Sequence, residues 1–138
     1  VGALTARYAT AYCNRGNAWK DKKEYGWSFA DYTEAIRIDP KVAMAYNNRA
    51  WLWATCPDEK HPDGRKAVES ASRACELTGW KDASNVAALA AAHAEAGDFD
   101  TAVVWQEEAL KLSSGADKAH RSKRLRLYRE KKAYRAVD

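Results

Sequence analysis

Residues 14–40 read NRGNAWKDKKEYGWSFADYTEAIRIDP, and their spacing sets the terms for the rest of the chain. Taken back to Thr10, the first part puts Tyr12, Gly16 and Trp19 at i, i+4 and i+7, the steps that align side chains on one helical face. This predicts a helix from Thr10 to Lys22. A second is predicted from Tyr25 to Ile38, with Tyr25, Ser28, Tyr32, Ala35 and Ile36 as its buried stripe. Gly16 is the informative residue. Glycine inside a helix costs roughly 1 kcal/mol relative to alanine, so it needs a cause, and the close approach of another helix supplies one. Ser28 and Ala35 are small enough to let the pair nest, while Tyr12 and Trp19 fill the space on either side. Pro40 cannot continue a helix and sets the stop.

The same template slides along the chain. Tyr46, Ala50 and Trp53 take the places of Tyr12, Gly16 and Trp19, followed by Ala67, Ala71 and Ala74 on a second helix. A third unit uses Val86, Ala90 and His93, then Phe99, Ala102 and Ala109. From the small first-helix residue to the late alanine is 19 residues in units one and three but 24 in unit two, which therefore has a longer internal turn. That turn, TCPDEKHPDG from Thr55 to Gly64, is too long and proline-rich for a tight connection.

From Gly16 to Ala50 the step is 34 residues, the period of tetratricopeptide repeats. With NRGNAW…EYGWSFADYTEAIRIDP in unit one and AAHAEAGDFDTAVVWQEEALKL in unit three, the chain resembles the tetratricopeptide repeat (TPR) family. Unit two departs from the pattern in its turn. The resemblance implies an all-α fold: a right-handed α-solenoid of three helix hairpins plus a C-terminal capping helix, about seven helices in all. It implies one domain, with repeats at about 9–42, 43–81 and 83–115 and a capping helix and basic tail over 117–138. It also implies a concave face, made mainly by each first helix, that holds peptides or partner proteins.

Composition fits such a domain. At 138 residues the chain supports one continuous core, and much of its 46% apolar content is alanine, as close helix packing requires. No apolar run approaches the ~20 residues of a membrane span. The segment Val1 to Tyr8 is too short for a stable helix of its own and is expected to pack over the open end of unit one. No secretory signal is read at the start, and a cytoplasmic location is the expectation.

Cys13, Cys56 and Cys75 are an odd number and make a poor disulfide framework. Cys75, among Ala71, Ala74 and Leu77, reads as a small core residue. Cys56 with His61 falls short of the four ligands of a structural zinc, so no metal and no cofactor is expected. His61, His93 and His120 are scattered, with His93 at a packed aromatic position. No nucleophile, base and orienting acid line up, and no phosphate loop is visible, so catalysis by this chain is not expected. Trp80, at the junction between units two and three, is expected to staple neighbouring helix pairs.

The chain's net charge of +4 is unevenly placed: residues 117–138 hold nine Lys and Arg against three acidic residues. One reading is an electrostatic patch, including Arg121, Arg124, Arg126 and Arg129, for nucleic acid or an acidic partner. The other is the solvated face of a capping helix that buries Ala119, Leu125 and Tyr128, and the lack of interleaved aromatic rings favours it.

With the buried face fixed, the first helices present Cys13, Asn14, Asn17 and Lys20, then Met44, Asn47, Asn48 and Trp51, then Ser84 and a floor of Ala87, Ala88 and Ala91. These are the expected peptide-binding groove, with amides for a peptide main chain and an indole anchor. Some TPR domains clamp a terminal carboxylate with two asparagines and three basic residues. Asn17 and Asn48 fall at the asparagine places, but the basic places hold Cys13, Ser84 and Ala88; without those cations a terminal carboxylate gains no charge-assisted bonds, and chaperone-tail binding of that type is not expected. The expected function is a non-enzymatic protein–protein interaction module. Nucleic-acid or acidic-partner binding through the basic helix, or self-association of the array, are the alternatives.

Overall fold

In the computed structural model, which describes residues 2–136, α1 (Gly2–Asp21) and α2 (Tyr25–Ile38) form a hairpin about Gly16. A Cβ added at Gly16 would stand 2.6 Å from Tyr32 Cε1 and 2.8 Å from Cδ1, so the ring occupies the space that any side chain would need. Arg15 fixes the same hairpin by a two-pronged pair with the buried Asp31, at 2.7 and 2.8 Å. The next pairs are α3 (Ala43–Thr55) with α4 (Gly64–Leu77), and α5 (Ala83–Glu95) with α6 (Phe99–Lys111); α7 (Ala116–Arg129) packs on α6. Ala50 and Ala90, the counterparts of Gly16, are fully buried.

The odd helices form one layer. α1 touches α3 and α3 touches α5, whereas α2, α4 and α6 make no comparable contact with one another. A stack that is tighter on one side curves toward it, and the chain is a right-handed α-solenoid of helix hairpins with α1, α3 and α5 on the inner side. Asp63, Asp82 and Asp98 start α4, α5 and α6 as N-caps, their carboxylates accepting from the backbone N–H of Lys66, Asn85 and Thr101.

The long turn of unit two folds back on unit one. Its Asp63 N–H donates to Trp53 O at 2.8 Å, and His61 lies against the rings of Tyr25 and Phe29. Phe29 in turn stacks on Trp53 with centroids 5.2 Å apart. The turn delivers the chain to Gly64, where a Cβ would meet Ala96 N at 2.5 Å and Ala96 Cα at 2.6 Å. The start of α4 thus rests directly on backbone at the end of α5.

Two expectations change, and a third holds at the surface rather than in the core. The N-terminal segment does not cover the open end of unit one. It prolongs α1 by about two turns, because a nucleated helix extends one residue at a time without a fresh nucleus, and Leu4 and Tyr8 stay exposed on it. Ala119 is exposed on α7, where Leu125 and Tyr128 form the buried stripe and Tyr128 joins Ala90, Ala94 and Ala102. Trp80 is laid on the surface, 40% exposed, and stacks on Trp105 at 5.2 Å, tying the α4–α5 junction to α6. No helix among the described residues is long and apolar enough to cross a membrane.

Candidate functional site

The inner face is built from α1, α3 and α5, and the groove residues expected from sequence divide there by burial. Asn14, Met44 and Ser84 are exposed, while Asn17, Lys20, Asn47, Asn48 and Trp51 are half-buried. Cys13 is fully buried, not on the free surface. It lies between α1 and α3, where Asn48 Nδ2 donates to its Sγ at 3.4 Å, and burial pushes its thiol pKa up, against the pull of that hydrogen bond. Ala87, Ala88 and Ala91 are also buried. α5 is packed against α3, α4 and α6, so its alanines are core and not an open floor.

Two amide networks run beneath this face. Tyr32 Oη donates to Asn17 Oδ1 at 2.5 Å, and Asn48 Nδ2 donates to the same oxygen at 3.1 Å. The two asparagines at the clamp positions are therefore bonded to each other and to α2. In the second network Asn85 Nδ2 donates to Ala74 O and Thr78 Oγ1. Because a carbonyl only accepts, this orients the Asn85 amide, and Asn85 Oδ1 must accept from Asn47 Nδ2. Asn47 Nδ2 also reaches Ser84 Oγ at 3.4 Å, which leaves Asn47 Oδ1 as the acceptor toward the face.

Trp51 is at the centre of the site, with a hollow on each side. One, about 290 Å³, is lined by Lys20, Tyr25, Leu52, Thr55 and Pro57 as well as Trp51, and Ala136 closes it. The other, about 230 Å³, is lined by Asn47, Asn48, Ser84, Ala87 and Trp51 and by Arg121 and Arg124 of α7. The sequence treats the basic residues of the last segment as one set, but the helix separates them. Arg126 and Arg129 are exposed, whereas Arg121 and Arg124 are half-buried and reach the inner face. The signal was present in the positions of Leu125 and Tyr128: once these define the buried stripe, residues 121 and 124 flank it.

The chain after α7 also returns to this face. Tyr134 rests on Trp51 with centroids 5.8 Å apart, and the Arg124 guanidinium lies over both rings, at 5.1 Å from Trp51 and 5.3 Å from Tyr134. Arg135 Nη1 reaches Glu95 Oε1 at 2.5 Å and Ala54 O at 3.3 Å. Ala136 N–H donates to Thr55 O at 2.8 Å. The carbonyls of Ala54 and Thr55 belong to the last turn of α3, which has no intrahelical donors left for them and no basic residue of its own. Residues 134–136, far away in sequence, supply the donors and the positive charge. No local spacing in the sequence marks this contact.

Burial pushes the Cys75 thiol up to about 12, and Cys13 and Cys56 are buried as well. Burial lowers the pKa of His93, partly offset by Asp98, whose carboxylate stands 3.9 Å away. No group of three metal-type side chains converges among the described residues.

No protein-family model matches the sequence, and no curated protein does. Solved structures match across most of the chain. The first TPR domain of Spaghetti (RPAP3), bound to the HSP90 peptide SRMEEVD, is 18% identical with a TM-score of 0.77, covering 91% of this chain and 93% of that one. The Arabidopsis OM64 TPR domain is 21% identical with a TM-score of 0.73, over 88% and 97%. The N-terminal domain of stress-induced protein-1 (STI-1) from C. elegans is 22% identical with a TM-score of 0.67, over 91% and 99%. At these identities the likeness is one of fold.

Proposed function

Starting from a tetratricopeptide-repeat solenoid, we propose that this chain is a non-enzymatic interaction module that takes an extended peptide segment of a partner protein along its inner face, centred on Trp51. The observation that carries the reading is the chain's own tail. Residues 134–136 already lie on that face as non-helical chain, with an aromatic ring on Trp51 and a main-chain N–H bonded to Thr55 O. A surface that accepts one such segment offers the ring contact and backbone acceptors that a second would use. One structural neighbour bound to a peptide supports the same class of ligand.

The peptide is proposed to meet Asn14, Lys20, Met44, Asn47, Trp51 and Ser84. Cys13, Asn17 and Asn48 act from below, as the network that holds α1 and α3 in register. Binding of nucleic acid through the last helix has less support. Arg121 and Arg124 are turned inward, and among residues 116–136 a single exposed ring, the imidazole of His120, is available to stack a base, Tyr128 being buried and Tyr134 laid on Trp51.

The test is a display selection of random dodecapeptides against the full chain, followed by mapping of the enriched peptides by backbone and indole NMR. Enriched peptides are expected to shift the Trp51 indole and the amides of Thr55 and Glu95. Peptides that instead perturb the outer helices, around the exposed Trp27 and Val104, would refute the reading.

A further inference from the structure

The hollow between α3, α5 and α7 contains an imbalance of charge. Two guanidinium groups, Arg121 and Arg124, border it, and no acidic residue does. Arg121 is held by Ser113, to whose Oγ its Nη1 donates at 2.7 Å. Arg124 is held only by the faces of Trp51 and Tyr134. The Nε of each is buried with no hydrogen-bond partner among the described residues, and neither side chain has an ion pair there. Asp82 caps α5 and lines the adjacent hollow, Glu95 is bound by Arg135, and the exposed Asp117 of α7 acts on Arg124 through space without an ion pair among the described residues. Burial lowers the pKa of Arg124 and the charge of Arg121 adds to this, against the opposing pull of Tyr128, Tyr134 and Asp117.

Two cations brought together and partly dried are costly to hold unless an anion joins them. A guanidinium lying over ring faces spends none of its N–H groups on them, and although the Arg124 Nε is buried, its two terminal nitrogens suit two-pronged recognition of an oxyanion. The rest of the lining says which kind. Asn47 and Asn48 spend their N–H groups within the protein, so each turns an amide oxygen, an acceptor, to the hollow's neighbourhood. Ser84 Oγ accepts from Asn47 and retains a proton to give. The site therefore combines cationic donors with neutral acceptors. Inorganic phosphate at neutral pH has only one or two O–H donors, on the same centre as the oxygens the arginines would take, and no N–H to offer the amide oxygens. A peptide residue with a carboxylate matches both sets, its carboxylate to the arginines and its backbone N–H to an asparagine oxygen.

We infer that this hollow is an acidic-residue subsite of the inner face, in which Arg121 and Arg124 bind the carboxylate of a peptide ligand and Asn47 accepts from its main chain. The inference rests on the peptide-binding reading and specifies its chemistry. It also differs from a clamp built on the first helices, because both cations come from α7 and the Asn17–Asn48 pair is occupied.

The test uses the full chain labelled with nitrogen-15 and three probes at matched ionic strength: N-acetylglutamate methylamide, its glutamine isostere, and inorganic phosphate. The glutamate probe is expected to shift the Arg124 Nε–H and Trp51 indole resonances saturably, and the glutamine probe to bind at least fivefold more weakly. Arg124→Gln and Arg121→Gln should each weaken the glutamate probe by a similar factor, with unchanged far-ultraviolet circular dichroism confirming that both fold. Equal binding of the two amino-acid probes, phosphate binding as tightly as glutamate, or affinities within twofold in both variants would each overturn the inference. A display-selected neutral peptide that still shifts Trp51 would leave the peptide reading intact, so the two can fail separately.

Discussion

Gly16→Ala adds one methyl group, and the structure sets two opposed effects on it. In the middle of α1 alanine favours the helix over glycine by about 1 kcal/mol. Against this, the new Cβ stands 2.6 and 2.8 Å from carbons of the Tyr32 ring, where ordinary contact needs about 3.5 Å or more. Tyr32 has no room to yield easily. It is fully buried, and its hydroxyl is tied to Asn17, which is tied to Asn48 across the α1–α3 contact. Overpacking of this kind costs about 1–3 kcal/mol, and the anchoring puts it in the upper part of that range. The net effect is then a loss of about 1–2 kcal/mol, or roughly 3–8 °C in Tm for a chain of this size. The decisive assay is a double-mutant cycle by urea unfolding, with Tyr32→Leu as the second change. Tyr32→Leu alone costs about 2–3 kcal/mol, and in that background Gly16→Ala should become neutral or stabilise by up to about 1 kcal/mol. A coupling of about 2 kcal/mol is well above the ~0.5 kcal/mol expected of independent sites. If Gly16→Ala destabilises equally in both backgrounds, the ring is not what excludes the methyl group, and the account of the helix pair fails.

Other perturbations test the remaining contacts. Gly64→Ala should cost about 2–3 kcal/mol by thermal unfolding, more than Gly16→Ala, since its obstacle is the backbone of Ala96 and cannot rotate away. Removing the tail contacts with Tyr134→Ala and Arg135→Ala should strengthen binding of display-selected peptides by roughly 3–10-fold in calorimetry, because the competent face is freed; unchanged or weaker binding would show that the tail supports the face without competing for it. Folding lowers the pKa of His93 below its usual 6.5, so the unfolded chain takes up this proton first. Its contribution is complete above about pH 6.5 and is lost as pH falls toward the folded value, and His93→Gln should flatten the stability profile in that window. Cys13, Cys56 and Cys75 should resist a thiol reagent at pH 8 in the native state and react together on unfolding.

What the sequence determined by itself was everything governed by local period and close packing. Gly16, Ala50 and Ala90 could be assigned to helix contacts because a small residue inside a helix has few other causes, and α2 and α4 began and ended where Tyr25, Pro40 and Asp63 said they should. The solenoid follows from those units in series. Only the tertiary structure decided which polar residues remained available on the inner face. Cys13 and the alanines of α5 share a helical phase with Asn17 and Ser84, and phase says nothing of what a neighbouring helix covers. The same holds for Arg121 and Arg124, whose turn toward Trp51 depends on where α7 docks. It holds most of all for Tyr134, Arg135 and Ala136, whose partners lie about forty to eighty residues back along the chain. Helices report themselves through interactions over three or four residues, whereas a site is a meeting of distant segments, and its energy is written in contacts that no local spacing encodes.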